Sequence, residues 1–174
     1  MAERALETDA DHYRALQLVA LLELDEDRGD AALEFIARLE SIQDKVDSNA
    51  ALHQLLQLSP AAFPIYDTQV LGETLHLKAR ALRLSGDAVA AEECSRRLRH
   101  LQDVAAEIKQ LLSQQSARPR DVELVYRLGV LHADIGFGDG ARHWLTRVLE
   151  LQPRHAQARE ALDNLERNDR GALP

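Results

Sequence analysis

Residues 121–155 constrain the fold of this chain more than any other stretch of the sequence. After Asp121 they read VELVYRLGVLHADIGFGDGARHWLTRVLELQPRH. Apolar residues recur at spacings of three and four on both sides of a glycine-rich turn, which is the pattern of two amphipathic helices. Pro153 is expected to end the second helix, because proline cannot continue it. The stretch therefore predicts an antiparallel pair of α-helices.

The composition favours helices along the whole chain. Aromatic residues make up only 4% of the 174 residues. Leu, Ala, Glu, Arg and Gln are abundant, and these are helix formers rather than strand formers. We therefore predict an all-α fold of about seven helices in one domain, residues 1–174.

Turn residues divide the chain into further helical segments. Gly29 and Gly86 are each followed by Asp. Gly29 is expected to end a helix in the left-handed conformation, and Ser85, Gly86 and Asp87 are expected to stop one helix and cap the next. The expected segments are an N-terminal hairpin at 10–46, a short helix and ordered connector at 48–67, a hairpin with an overlong second helix at 68–116, the hairpin at 121–155 and a final helix at 156–168.

Small residues mark the close approach of the two helices in the last hairpin. Leu128 and Gly129 lie in the first helix, Ala141 begins the second, and Pro153 closes a unit of 34 residues at 122–155. This unit resembles the tetratricopeptide repeat, a helix-turn-helix motif of the same length. His132 stands where that family usually has Tyr.

The hairpin before it resembles the same repeat in part. Residues 72–105 place Ala79, Gly86 and Ala91 where the pattern has small and turn residues, but Lys78 replaces the usual Leu. The N-terminal hairpin matches only as paired helices with a Gly-Asp turn. The resemblance implies a right-handed α-α superhelix of antiparallel hairpins, which the final helix would cap.

In this family the first helix of each hairpin lines a concave groove that binds peptides or partner helices. The resemblance places eight side chains on that groove: Glu73, His76, Arg80, Arg83, Glu123, Tyr126, Val130 and Asp134. Arginine pairs well with carboxylates, so His76, Arg80 and Arg83 would form a basic strip for an acidic partner. The alternative is that these side chains are ordinary solvated helix surface.

No residue pattern points to catalysis, a cofactor or a metal. The run from Gly136 to Gly140 lacks the preceding strand and the following Lys-Ser/Thr of a phosphate loop. The seven histidines never recur at a spacing of three or four, so no metal site is expected. Cys94, the only cysteine, lies on an apolar stripe and is expected to be a buried thiol. His132 is expected to pack between helices.

The charge distribution limits the classes of partner. The net charge of −8 argues against nucleic acid. Residues 1–72 carry 5 Lys or Arg and 14 Asp or Glu, whereas residues 73–120 carry 9 and 6. The basic middle contains a cluster formed by Arg96, Arg97, Arg99 and His100. This cluster suits contact with the acidic N-terminal part in the same chain or in a second copy, so a homo-oligomer is one expectation. Solvated surface is the alternative for this cluster too.

No apolar run is long enough to span a bilayer, and the N-terminus has no hydrophobic signal core. We therefore expect no membrane insertion and a cytoplasmic location. The function that the sequence favours is a non-catalytic scaffold binding a protein or peptide in the groove. Two alternatives stay open: a substrate-holding chaperone or assembly factor, and a self-associating structural or regulatory domain of a larger protein.

Overall fold

The computed structural model describes Leu6 and residues 8–47 and 63–171. These residues contain no strand. Their helices are α1 (Tyr13–Asp25), α2 (Gly29–Asp47), α3 (Phe63–Leu84), α4 (Ala88–Ala117), α5 (Val122–Asp134), α6 (Gly138–Leu151) and α7 (Ala156–Gly171). The prediction of an all-α fold is confirmed. None of these helices, within the described residues, has the length and apolar character needed to cross a membrane.

Two expectations concern the helix boundaries around α3 and α4. Residues 63–67, expected to belong to a connector, are the first residues of α3. The rest of that connector, including the expected short helix, lies outside the described residues. The overlong helix is confirmed, since α4 runs for 30 residues without a break.

The chain divides into two compact units. The first contains α1, α2, most of α3 and α4 up to Gln102. The second contains α4 from Asp103 onward together with α5, α6 and α7. Each unit has its own buried core.

In the first unit, α1 and α2 form an antiparallel hairpin and α3 packs against both helices. The Tyr13 hydroxyl lies 3.3 Å from Thr74 Oγ1 near the start of α1, and Arg80 reaches the end of α1, so α3 runs parallel to α1. Lys78 Nζ donates to both carboxylate oxygens of Glu40 on α2, at 2.7 and 2.8 Å. One core cluster of this unit consists of Ala20, Leu24, Ala32, Ile36, Leu77 and Ala81.

In the second unit, α5 and α6 form the hairpin and α7 packs mainly against α6. Buried leucine and valine side chains fill the space between α5 and α6 because the apolar stripes of both helices face inward. The core consists of Val104, Ile108, Leu124, Val125, Leu128, Leu131, Ala141, Trp144, Leu145, Val148 and Ala158.

All three hairpins turn through the same backbone motif. A single left-handed residue follows the first helix: Asp27 with φ 56°, Gly86 with φ 85° and Gly136 with φ 86°. In each turn its N–H donates to the carbonyl three residues earlier, and the next N–H donates to the carbonyl five residues earlier. This is the Schellman motif, which satisfies carbonyls at the end of a helix.

The prediction that Gly29 is the left-handed residue of the first turn is wrong. Asp27 takes that position, and Gly29 is the first residue of α2. A Cβ on Gly29 would lie 2.6 Å from the carbonyl oxygen of Ala81 on α3. Glycine is required there because the start of α2 approaches the backbone of α3 closely, not because the turn needs a positive φ.

Each hairpin also contains two buried small residues twelve positions apart, one in each helix. In all three hairpins the first small residue lies seven positions before the left-handed residue, and the second lies five positions after it. In the last hairpin a Cβ on Gly129 would lie 2.8 Å from Leu145 Cγ, so the helices touch closely there. The three pairs are Ala20 and Ala32, Ala79 and Ala91, and Gly129 and Ala141.

Candidate interaction surface

The outward side of α3 contains the basic residues that the sequence placed in a groove. His76 and Arg83 are exposed, while Glu73 is half-buried. The Glu73 carboxylate accepts a hydrogen bond of 2.7 Å from Gln17 Nε2 on α1. Glu73 therefore helps to join α3 to α1.

Arg80 also bonds to α1. Its guanidinium donates to the Leu24 carbonyl oxygen at 3.1 Å and to Asp25 Oδ1 at 3.0 Å. Both acceptors lie at the C-terminus of α1, where a positive charge is favoured by the helix dipole. The structure therefore gives Arg80 a role in holding the first unit together.

Arg83 bonds in another direction. Its guanidinium donates to Ser95 Oγ on α4 at 2.7 Å. The pKa of the Glu92 carboxyl is lowered mainly by its hydrogen bond from Arg99, and the nearby positive charge of Arg83 lowers it further. Arg80 and Arg83 thus contact different neighbours of α3.

Two arginines of the other basic cluster, on α4, form ion pairs within their own helix. Arg99 pairs with Glu92 at 2.8 Å, and Arg96 pairs with Glu93 one helical turn away. These exposed pairs contribute little to stability. They reduce the positive potential that the sequence suggested for this surface.

The outward side of α5 carries the four remaining candidate residues. Leu124, Val125 and Leu128 are buried on the opposite side of the helix. The exposed or half-buried candidates, which we name the α5 face, are Glu123, Tyr126, Val130 and Asp134. The sequence pattern predicted this division between a core side and an outward side.

Tyr126 is held in place by a residue that sequence reasoning did not connect with it. Its ring centroid lies 4.8 Å from that of His155, at an interplanar angle of 38°. His155 precedes α7, and its Nδ1 accepts a hydrogen bond of 3.1 Å from the Ala158 N–H. An N-terminal cap of this kind fixes the imidazole. Tyr126 therefore presents an ordered aromatic surface beside Val130.

Two exposed leucines on α1 form a surface that the sequence analysis missed. Leu18 and Leu22 are 53% and 55% exposed, and their spacing of four places them on one side of the helix. The sequence did contain a signal, because neither residue falls on the stripe formed by Leu16, Val19 and Leu24.

His132 and Trp144 are buried together in the second unit, with 1% and 6% of their surfaces exposed and ring centroids 6.3 Å apart. His132 Nδ1 donates to the Leu128 carbonyl oxygen at 2.7 Å. His132 Nε2 and Trp144 Nε1 are buried and make no hydrogen bond with the described residues. Burial lowers the pKa of His132, only partly opposed by the bond to Leu128. The expectation that His132 packs between helices is confirmed.

Among the described residues, no group of three or more His, Cys, Asp or Glu side chains is arranged to hold a metal ion. Cys94 is half-buried rather than buried, because it lies at the edge of the α4 stripe.

Comparison of the chain with protein-family models, curated proteins and solved structures found no match.

Proposed function

We propose that this protein is a non-catalytic scaffold, built as a tetratricopeptide-like α-α superhelix, that binds a peptide or partner helix on the outward side of its first helices. The repeated turn and the repeated small-residue pairs support this architecture. In such arrays the hairpin supplies the packing, and the outward residues are left to vary with the partner.

The observation that carries the proposal is the ordered α5 face. Tyr126, fixed against His155, and the half-exposed Val130 give an apolar centre. Aromatic side chains in rigid positions contribute strongly to binding because little conformational entropy is lost. Glu123 and Asp134 place carboxylates toward the two ends of this centre.

The size and charge of the α5 face define the partner. Glu123 and Asp134 are eleven residues apart on one helix, which corresponds to about 16 Å. An extended peptide of about five residues covers that distance. The partner segment therefore has apolar side chains in its middle and Lys or Arg near its ends.

The residues on α3 have a different place in this proposal. Arg80 supports the contact between α3 and α1, and Arg83 contacts α4. His76 and Arg83 keep exposed surface on the outward side of α3. Substituting Arg80 would disturb the first unit, so it is a poor test of binding.

Site-specific photo-crosslinking tests the proposal. A photoreactive amino acid is placed at Val130 and, in a control protein, at Thr146, which is exposed on α6. Capture of one partner from Val130 and not from Thr146 is expected. Equal capture from both positions contradicts a binding role for the α5 face.

Binding measurements on the captured partner then test the contribution of single residues. Val130→Glu buries a charge in the apolar centre, and Tyr126→Ala removes the aromatic surface. Each is expected to weaken binding by about tenfold or more, equivalent to about 1.4 kcal/mol. Thr146→Glu, the matched control, is expected to bind as the wild type does.

A further inference from the structure

The exposed side of α1 carries four residues in a fixed order of charge and hydrophobicity. Arg14, Leu18, Leu22 and Asp25, which we name the α1 stripe, follow one another at spacings of four, four and three. These spacings place them on one side of a helix. The stripe begins with a positive charge, continues with two exposed leucines and ends with a negative charge.

We propose that the α1 stripe is a self-association surface that binds the α1 stripe of a second copy of this chain in antiparallel orientation. This alignment places Leu18 against Leu22 of the second copy. It also places Arg14 next to Asp25 of the second copy, and the two-fold symmetry repeats both contacts. The surface is therefore complementary to itself, as a two-fold symmetric interface requires.

The charges select both the partner and the orientation. A parallel alignment would place Arg14 against a second Arg14 and Asp25 against a second Asp25, and like charges in contact are unfavourable. The antiparallel alignment replaces both repulsions with ion pairs. It also covers four leucine side chains that otherwise face water.

The bonds that Arg14 and Asp25 make within one chain are compatible with this pairing. Arg14 donates to the neutral amide oxygen of Gln17 at 3.1 Å, so its positive charge is not neutralised by that bond. Asp25 accepts from Arg80 through Oδ1, and its side chain is 67% exposed. A carboxylate has room for further donors, and Arg14 of the second copy is one.

The extent of the α1 stripe sets the strength of the association. Two leucines and one ion pair per copy make a small interface, so the dimer is weak and depends on protein concentration. The α1 stripe and the α5 face belong to different units, and the dimer does not rest on the proposed peptide binding.

Sedimentation equilibrium of the full chain, from about 1 µM to about 500 µM, tests for such a weak interface. The wild type is expected to pass from monomer to dimer over this range. The double variant Leu18→Asp/Leu22→Asp is expected to stay monomeric. Val89→Asp is the matched control, because Val89 is 83% exposed on α4 and outside the stripe. A monomeric wild type, or an equal effect of Val89→Asp, overturns the proposal.

A charge exchange tests the antiparallel orientation. Arg14→Asp and Asp25→Arg each create two repulsions in a homodimer, so each variant alone is expected to associate at least about tenfold more weakly. In a mixture of the two, every contact again joins opposite charges, and a heterodimer is expected. A mixture of folded variants that stays monomeric overturns this orientation. If Asp25→Arg loses helix content in circular dichroism, the leucine variants still decide whether the stripe associates.

Discussion

The imidazole ring of His132 occupies the space that a side chain on Gly140 would need. A Cβ at Gly140 would lie 2.4 Å from His132 Cδ2. The glycines of this turn therefore have separate packing roles: Gly136 adopts a positive φ, and Gly140 admits the ring. These roles account for two of the three glycines in a run that superficially resembled a phosphate loop.

Gly140→Ala is expected to destabilise the second unit by about 1–3 kcal/mol, the usual cost of overpacking a core. Gly138→Ala is the matched control two residues away. Its Cβ would lie 3.4 Å from the flexible end of Arg142, and alanine favours a helix by up to about 1 kcal/mol. Urea unfolding followed by the fluorescence of Trp144, the only tryptophan, measures both effects. A Gly140→Ala protein as stable as the Gly138→Ala protein contradicts the steric argument.

Acid is expected to destabilise the second unit through His132. Burial lowers the pKa of His132 in the folded chain below the ordinary value of 6.5. At a pH between the lowered pKa and 6.5, the unfolded chain therefore binds more protons than the folded chain. The stabilisation is therefore complete above pH 6.5 and is lost as the pH falls toward the lowered pKa.

The free energy of unfolding, measured from pH 8 to pH 5, tests this dependence. His132→Leu removes the titrating group while retaining an apolar side chain. The variant is expected to lose less stability over this interval than the wild type. An identical pH dependence of both proteins would show that His132 contributes nothing to it.

The left-handed position of the last turn is expected to accept asparagine more readily than valine. Asp27 already occupies the equivalent position of the first turn with φ 56°. At Gly136 no atom lies within 4 Å of an added Cβ, so the cost arises from the backbone alone. Gly136→Val is expected to cost about 1–2 kcal/mol, and Gly136→Asn less. Thermal unfolding by circular dichroism compares them, and equal losses would refute this explanation.

The cap of α1 gives a further prediction. His12 Nδ1 accepts a hydrogen bond of 3.2 Å from the Ala15 N–H. His12→Ala removes this acceptor and is expected to cost about 1 kcal/mol, whereas His12→Asn supplies a favourable cap and is expected to be neutral or stabilising. Chemical unfolding of the two variants decides the matter. A loss of the same size in both would assign another role to His12.

The sequence predicted the helical fold and two of the three turns because these depend on local patterns. Apolar spacing identified the core side of α5, and Gly86 and Gly136 marked their turns. The first hairpin was less evident. Its left-handed residue is Asp27 instead of glycine. The equivalence of Asp27 with Gly86 and Gly136 emerges only from the backbone hydrogen bonds.

The candidate surface was harder to predict because long side chains reach neighbours that a helical pattern does not specify. Helical position places Arg80 and Arg83 on one side of α3, yet one bonds to α1 and the other to α4. Tyr126 and His155 are far apart in sequence and meet only after α7 packs. Sequence patterns identify the side of a helix more reliably than they identify what that side contacts.

The common turn has a consequence for the way this chain accommodates changes in length. The left-handed residues are separated by 59 positions between Asp27 and Gly86 and by 50 between Gly86 and Gly136, although the hairpins themselves keep identical internal spacing. We therefore expect added residues to be tolerated better between the hairpins than within the segment from one small residue to the other. The turn residue with its flanking small pair thus marks a segment of constant length in each hairpin.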